Sequence, residues 1–226
     1  MSNEPAATPT RTILNQDALA WLSEPHDLTG CSIITSLPDY SEFKSMSIDE
    51  WKQWFLTAAK LVLSRCPSAG VVIFFQSDIK HEGVWIDKGY ICQKAAEETG
   101  HVLLWHKIVC RFAPGKSSFG RPAYSHLLCF SRAALLDGAG VMADVLPQTG
   151  EVTWTRGMGL DACLAACQFI LSQTRSHTVV DPFCGHGTVL AVANSLGLNG
   201  IGVELVARRA QKARSLKVSG GCLISE

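Results

Sequence analysis

The sequence predicts an α/β fold built on a largely parallel sheet, and three observations carry that prediction. In the stretch from Thr178 to Leu190, TVVDPFCGHGTVL, a β-branched run meets an acid and a proline, passes two glycines and becomes helix-compatible from Val189 to Ala193. That is the outline of a buried strand, a tight turn and a helix N-terminus. Gly197 to Gly200 then close the helix, and Ile201-Gly202-Val203-Glu204 reads as a further strand ending in an acid about twenty residues beyond the glycine turn, the arrangement used to hold ribose hydroxyls. Four more strand patterns precede the glycine stretch, with helical ones between the first three. Together these make a nucleoside-binding half-sheet, with Asp181 at the strand end where open α/β sheets bind ligands.

Length and composition fit one well-cored domain. The chain has 226 residues, 47% of them apolar and 18% charged, which describes a globular protein. Residues 1–11, with two prolines and small polar residues, read as a loose tail, and residues 12–226 as a single domain. No apolar run is long enough to cross a membrane and the N-terminus lacks a basic-then-apolar signal pattern, so a cytosolic or nuclear location and no membrane partner are expected. Nine cysteines without CxxC spacing read as buried thiols in a reducing compartment. Cys163 and Cys167 stand four apart on a predicted helix, but no His or Cys pair nearby completes a tetrahedral set, so no metal is expected.

Formal charge is zero, which argues against indiscriminate coating of nucleic acid. The distribution is uneven, however. No acid occurs between Glu98 and Asp137, where Lys107, Arg111, Lys116, Arg121 and Arg132 stand, and a phosphate-facing role is expected there. A second basic group, Arg208, Arg209, Lys212, Arg214 and Lys217, either solvates a helix face or faces a polyanion.

Taken in order, Ile13 to Trp21 reads as a short helix leading into a buried strand, Cys31 to Thr35, which ends in Ser36-Leu37-Pro38-Asp39-Tyr40. Ser47 with Glu50 three residues later is a capping-box pattern. It opens a helix through Trp51, Trp54, Phe55 and Val62 that Pro67 and Gly70 end. The two tryptophans share a face and are expected to pack on the sheet rather than stack on bases. Val71 to Phe75 is a second strand finishing in Gln76-Ser77-Asp78. Lys88 to Glu98 reads as a helix, Val102 to Val109 as a strand, Pro114 to Pro122 as a flexible segment and Tyr124 to Phe130 as a fourth strand. His126, within that strand, is expected to be a satisfied core residue. Gly138 to Thr153 is turn-rich. Leu160 to Leu171 reads as a helix leading into the glycine-turn strand, Val206 to Leu216 as the last helix, and Cys222 to Ile224 as a short final strand.

DPFCGHGT resembles the S-adenosylmethionine motif of the DNA and RNA amino-methyltransferases, which carry DPF or DPP, a small residue and then Gly-x-Gly-Thr or Ser; His186 stands where the family has a small residue. The substrate-like bend, Ser36-Leu37-Pro38-Asp39, precedes this motif, so the chain resembles the circularly permuted members. LLWHKIV and GRPAYSHLLCFS follow in similar order. The resemblance implies a Rossmann-like, largely parallel seven-stranded sheet with helices on both faces, the substrate half coming before the cofactor half. It implies S-adenosyl-L-methionine as cofactor, held by Asp181, Pro182, Phe183, Cys184, Gly185, Gly187 and Thr188, with Glu204 on the ribose and Met158 and Gly159 towards the methionine end.

In that family an Asp, Asn or Ser, two prolines and an aromatic grip an exocyclic amino group and stack the extruded base. Ser36 and Pro38 match in type and would be catalytic. Leu37 replaces the first proline, and Asp39 stands where the aromatic is expected, so that either Tyr40 takes the stacking place or Asp39 is itself an acceptor or base. Tyr40, Gln76, Asp78, Lys107, Arg111 and Arg121 are the expected substrate contacts. The implied partner is nucleic acid, RNA before DNA, because unpaired bases come without the cost of opening a duplex. A small-molecule or protein acceptor, and a non-catalytic binding module, stay open as alternatives.

Overall fold

The computed structural model describes residues 8–116, 121–133 and 142–224. Its elements in chain order are β1 (Arg11–Leu14), α1 (Ala18–Ser23), β2 (Cys31–Thr35), α2 (Ile48–Arg65), β3 (Val72–Gln76), β4 (Ile79–His81), β5 (Val84–Ile86), α3 (Lys88–Glu98), β6 (Val102–Cys110), β7 (Tyr124–Ser131), β8 (Val145–Leu146), α4 (Leu160–Gln173), β9 (Thr178–Asp181), α5 (Thr188–Ser195), β10 (Asn199–Val203), α6 (Ala207–Ser215), β11 (Lys217–Ser219) and β12 (Cys222–Ile224). A 3-10 turn, Tyr40–Glu42, follows β2.

Among the described residues the main sheet has eight strands in the order β1-β10-β9-β2-β3-β7-β6-β8. Pairing is parallel except where β7 lies antiparallel to β3 and β6. From β9 the chain runs through α5 to β10 on one side, and from β2 through α2 to β3 on the other. The sheet therefore reverses its winding between β9 and β2 and leaves a crevice at their C-terminal ends.

Side-chain alternation builds two cores. Cys31 and Ile33, Val72 and Phe74, and Leu128 and Phe130 pack beneath α1, α2 and α3. Ile34, Ile73, Phe75, Leu127 and Cys129 point the other way, under α4, α5 and α6. The Ser47–Glu50 pair caps α2 reciprocally, hydroxyl to Glu50 N–H and carboxylate to Ser47 N–H.

Three sequence expectations are corrected here. Residues 11–14 are a strand, not the start of a helix, because Arg11–Leu14 pairs in parallel with β10 and the helix waits for Asp17, whose carboxylate caps it through Ala20 N–H. The expected tail thus ends before Arg11; residues 1–7 lie outside the described residues. The sheet has eight strands rather than seven because the two-residue β8 adds beside β6. Cys222–Ile224 is a short strand as expected, and it pairs with Lys217–Ser219 in a separate ribbon. A hairpin, β4 with β5, stands where no strand was expected. Parts of the expected flexible and turn-rich segments, residues 117–120 and 138–141, also lie outside the described residues.

The core under α2 is dense: Trp51 and Phe55 are fully buried with ring centroids 5.3 Å apart. Replacing Phe55 with Ala is expected to cost about 3–5 kcal/mol in urea unfolding at an unchanged slope; a loss below about 1 kcal/mol would show that this layer is not packed as described.

Candidate functional site

A cavity of about 900 Å³ occupies the crevice between β9 and β2, at the top of the size range of ligand pockets. On one side Ser36, Pro38, Asp39 and Tyr40 line it, and on the other Asp181, Pro182, Phe183, Cys184, Gly185 and Thr188. Gln76 and Asp78 from the end of β3, Arg111 and Arg121 from the loops beside β6 and β7, Met158 before α4, and Glu204 after β10 also line it.

Asp181 is the most perturbed acid. It accepts hydrogen bonds from Thr35 Oγ1 at 2.7 Å and from Phe183 N–H at 3.2 Å. Burial still dominates, and with Glu204 adding repulsion the carboxyl is pushed up to about 7. Glu204 has both oxygens engaged: Gly185 N–H donates to Oε2 at 3.0 Å and Val206 N–H to Oε1 at 2.7 Å. It therefore shapes the glycine turn as well as facing the cavity. Burial raises the Cys184 thiol, and the two acids add to that, so no thiolate nucleophile is available there.

The glycines divide by role. Gly185 has φ +54°, the left-handed region that favours glycine, and a Cβ on it would stand in ordinary contact with the Trp154 ring at 3.5 Å. Gly187, expected at the ligand, is not in the wall. Its φ is +82° and an added Cβ would lie 2.8 Å from Ala213, so it lets α5 close on α6. Gly159 likewise sits behind the wall as the N-cap of α4, against Thr149.

On the opposite side, Asp39 faces the cavity with its carboxylate already committed. Ser41 N–H donates to Oδ1, and the buried Lys88 ammonium donates to Oδ2 at 3.1 Å. Desolvation pushes this carboxyl up, but Lys88 and Ser41 together outweigh it and hold it below the usual carboxylate range. That makes Asp39 a cap for the Tyr40–Glu42 turn and a poor base. Tyr40 stays in the wall, its ring met edge-on by Trp51 at 6.1 Å and His81 at 5.1 Å. Asp78 is ionised for a similar reason: burial opposes it, while His126, Lys88 N–H and Trp85 Nε1–H stabilise the charge. His126 is bonded on its other side to His106 at 2.9 Å, which satisfies it as expected.

Lys107 is not brought into the cavity wall; it pairs with Asp144 at 2.5 Å. Trp54, expected to pack on the sheet, does line the cavity, 6.4 Å from Phe183. Several wall residues were missed. Trp154 lies tilted on His186 at 5.2 Å and beneath the Arg209 guanidinium at 4.5 Å. Glu42 reaches Arg156 at 3.4 Å and Arg209 at 3.6 Å, tying the bend after β2 to the opposite wall. The only signal for Trp154 in the sequence is an aromatic with an arginine just before the Met158-Gly159 pair.

No protein-family model and no curated protein sequence matches the chain. Solved structures do. TTHA0409 of Thermus thermophilus, provisionally described as a DNA modification methylase and complexed with S-adenosyl-L-methionine, superposes with a TM-score of 0.69 at 17% identity, covering 90% of this chain and 91% of that one. The PvuII DNA methyltransferase, cytosine-N4-specific, gives 0.69 at 17% identity over 92% and 86% of the two chains. The complex of M1.HpyAVI with S-adenosylmethionine gives 0.57 at 16% over 91% and 97%. The fold of this chain is the Rossmann-like methyltransferase fold.

Asp181 has a consequence for stability. It keeps its proton in the fold up to about pH 7, whereas the unfolded chain releases it near 3.8, so its contribution falls as pH rises between those values and is constant above. Asp181→Asn keeps the acceptor for Thr35 and removes this loss. Its unfolding free energy relative to the parent is expected to rise with pH by at most about 1.4 kcal/mol per unit across that window; a difference flat from pH 4 to 7 would contradict the assignment.

Proposed function

We propose that the protein is an S-adenosyl-L-methionine-dependent methyltransferase acting on an exocyclic amino group of a base in nucleic acid, with RNA favoured. The observation that carries this reading is a single cavity lined on one side by the DPFCGHGT turn and on the other by the SLPDY bend. Both acids expected of a nucleoside site, Asp181 and Glu204, face it. The cofactor fits this wall by its chemistry: a side-chain-free turn at Gly185, a buried acid at each of two strand ends, and apolar Phe183 and Met158 between them. When bound, it supplies an electrophilic methyl group on sulfur.

The chain's own residues then bind and orient. Asp181, Gly185, Thr188 and Glu204 hold the cofactor, with Met158 and Trp154 closing over it. Ser36 Oγ and the backbone around Pro38 accept hydrogen bonds from the amino group, which frees the nitrogen lone pair from the ring. Positioning supplies most of the rate in such a transfer. The chain order, with the bend after β2 preceding the turn after β9, is the circularly permuted arrangement of amino-methyltransferases. RNA is favoured because the connection from Arg132 to Gly159 is too short for a large recognition insert, and structured RNA presents bases already unpaired. The solved neighbours, a DNA modification methylase and a cytosine-N4-specific DNA methyltransferase, favour DNA as a second reading.

Calorimetry is expected to show S-adenosylmethionine binding to the parent chain and none to Gly185→Val, because a β-branched residue is strained at φ +54° and would reshape the turn. Absence of binding to the parent would overturn the reading. Mass spectrometry of nucleosides from cells lacking the gene is expected to show one methylated base missing from RNA. Its loss from DNA would select the second reading, and methyl label entering only protein or small molecules would reject both.

A further inference from the structure

Three segments of the chain bring metal-ligating side chains to one spot beside the β4–β5 hairpin. Asp78 follows β3, Asp87 is the N-cap of α3, and His126 lies in β7 between β3 and β6. One carboxylate oxygen of each acid and one ring nitrogen of His126 all lie within 4.8 Å of one another. Of the three, only Asp78 also lines the cavity.

The packing is built to hold them together. Gly89 stands in the first turn of α3, and a Cβ there would lie 3.1 Å from Asp87 Oδ1 and 3.4 Å from the His126 ring. A residue without a side chain lets the acid and the imidazole close on each other. Tyr124 covers His126 edge-on, with ring centroids 5.4 Å apart. His106 bonds to His126 Nδ1 through its Nε2 at 2.9 Å, which turns His126 Nε2 to Asp78 Oδ2 at 3.0 Å. Asp78 is fixed in its turn by Lys88 N–H on Oδ1 and Trp85 Nε1–H on Oδ2, and Asp87 by Tyr90 N–H on Oδ1.

Charge makes the same demand. Two carboxylates this close repel each other, and among the described residues no lysine or arginine forms an ion pair with either. The Lys88 ammonium goes to Asp39, and the Lys80 ammonium to the Trp85 ring. Burial, and then the neighbouring His126, hold His106 below its usual range. The two imidazoles therefore bring at most one positive charge against two negative ones, and a divalent cation closes the balance.

One imidazole nitrogen and two carboxylate oxygens are a mixed set that suits zinc, with water as the fourth ligand on the side of the exposed Asp87. Ligand distances of about 2.0–2.2 Å in a tetrahedral site put neighbouring donor atoms about 3.3 Å apart. Asp78 Oδ2 and His126 Nε2 stand close to that, and the exposed Asp87 side chain supplies the remaining adjustment. Taking up the ion moves the His126 proton from Nε2 to Nδ1, where it donates to His106 Nε2, and His106 keeps its own proton on Nδ1. A bond on the far ring nitrogen is how metal-bound histidines are oriented. The cysteine spacing that argues against a metal does not bear on this set, which contains no sulfur.

We infer that Asp78, Asp87 and His126 form a zinc site, backed by His106, that ties the β4–β5 hairpin and the start of α3 to β7. Its role is structural: Lys88, next to Asp87, holds the bend at Asp39. The site stands apart from the methyl-transfer reading.

The test is calorimetric titration of the full chain, first stripped with chelator, with zinc chloride. One equivalent is expected to bind with micromolar affinity. Asp87→Asn keeps a side chain that caps α3; it should weaken zinc binding at least about tenfold and leave the metal-free thermal midpoint at the parent's value. His126→Gln should weaken binding as much. Cobalt(II) in place of zinc should give visible d–d absorption without a sulfur-to-cobalt charge-transfer band. No binding to the parent, or parental zinc affinity in Asp87→Asn, would overturn the inference. So would a sulfur-to-cobalt band, which would assign the ion to cysteines such as the exposed Cys222. None of these readings depends on whether the protein methylates a substrate.

Discussion

One hydrogen bond marks the constraint on which the rest depends: Thr35 Oγ1 donates to Asp181 Oδ1 at 2.7 Å, joining the ends of two parallel neighbours whose chains then run in opposite directions. Because α2 carries the chain away on one side and α5 on the other, no connection covers the gap between β2 and β9. The crevice is a consequence of strand order. The acid at that gap sits in low dielectric, and this is why burial outweighs its two hydrogen bonds and leaves the carboxyl titrating at about 7.

The walls are then shaped by contacts among residues far apart in the chain. Glu204 receives the amides of Gly185 and Val206, so the acid at the end of β10 holds the turn at the end of β9. Glu42 bridges to Arg156 and Arg209, and Arg209 lies over Trp154. These partly exposed ion pairs are worth little as stability. Their effect is geometric, since they set the distance between the SLPDY bend and the glycine turn.

Much of this was legible in the sequence where a local signal existed. The β-branched runs at Ile33, Val72 and Val179 and the capping box at Ser47 each state their structure within a few residues, as does the glycine turn with its trailing acid. β1 was not legible: its four residues bury a single side chain, Ile13, and it is a strand only because a partner nearly two hundred residues later lies beside it. The β4–β5 hairpin was missed because its strands are three residues each and its turn is Glu82-Gly83, with Glu82 forced to φ +48°, in place of the Asn-Gly or Asp-Gly that signals such turns. In the site, residue types announced Ser36, Asp181 and Glu204. Trp154, Arg156, Arg209 and Lys88 entered only through tertiary contacts. Asp39 was read from its place in a motif, whereas its pairing with Lys88 assigns it to holding the bend.

The central claim is that the turn after β9 and the segment at Trp154 together enclose the adenosyl cofactor. Photo-crosslinking of methyl-labelled S-adenosylmethionine to the native chain, followed by peptide mapping, tests it most directly. The account predicts label in the peptides containing Asp181 to Thr188 or Trp154 to Met158; label confined to the β4–β5 hairpin, or spread over peptides remote from β9, would contradict it.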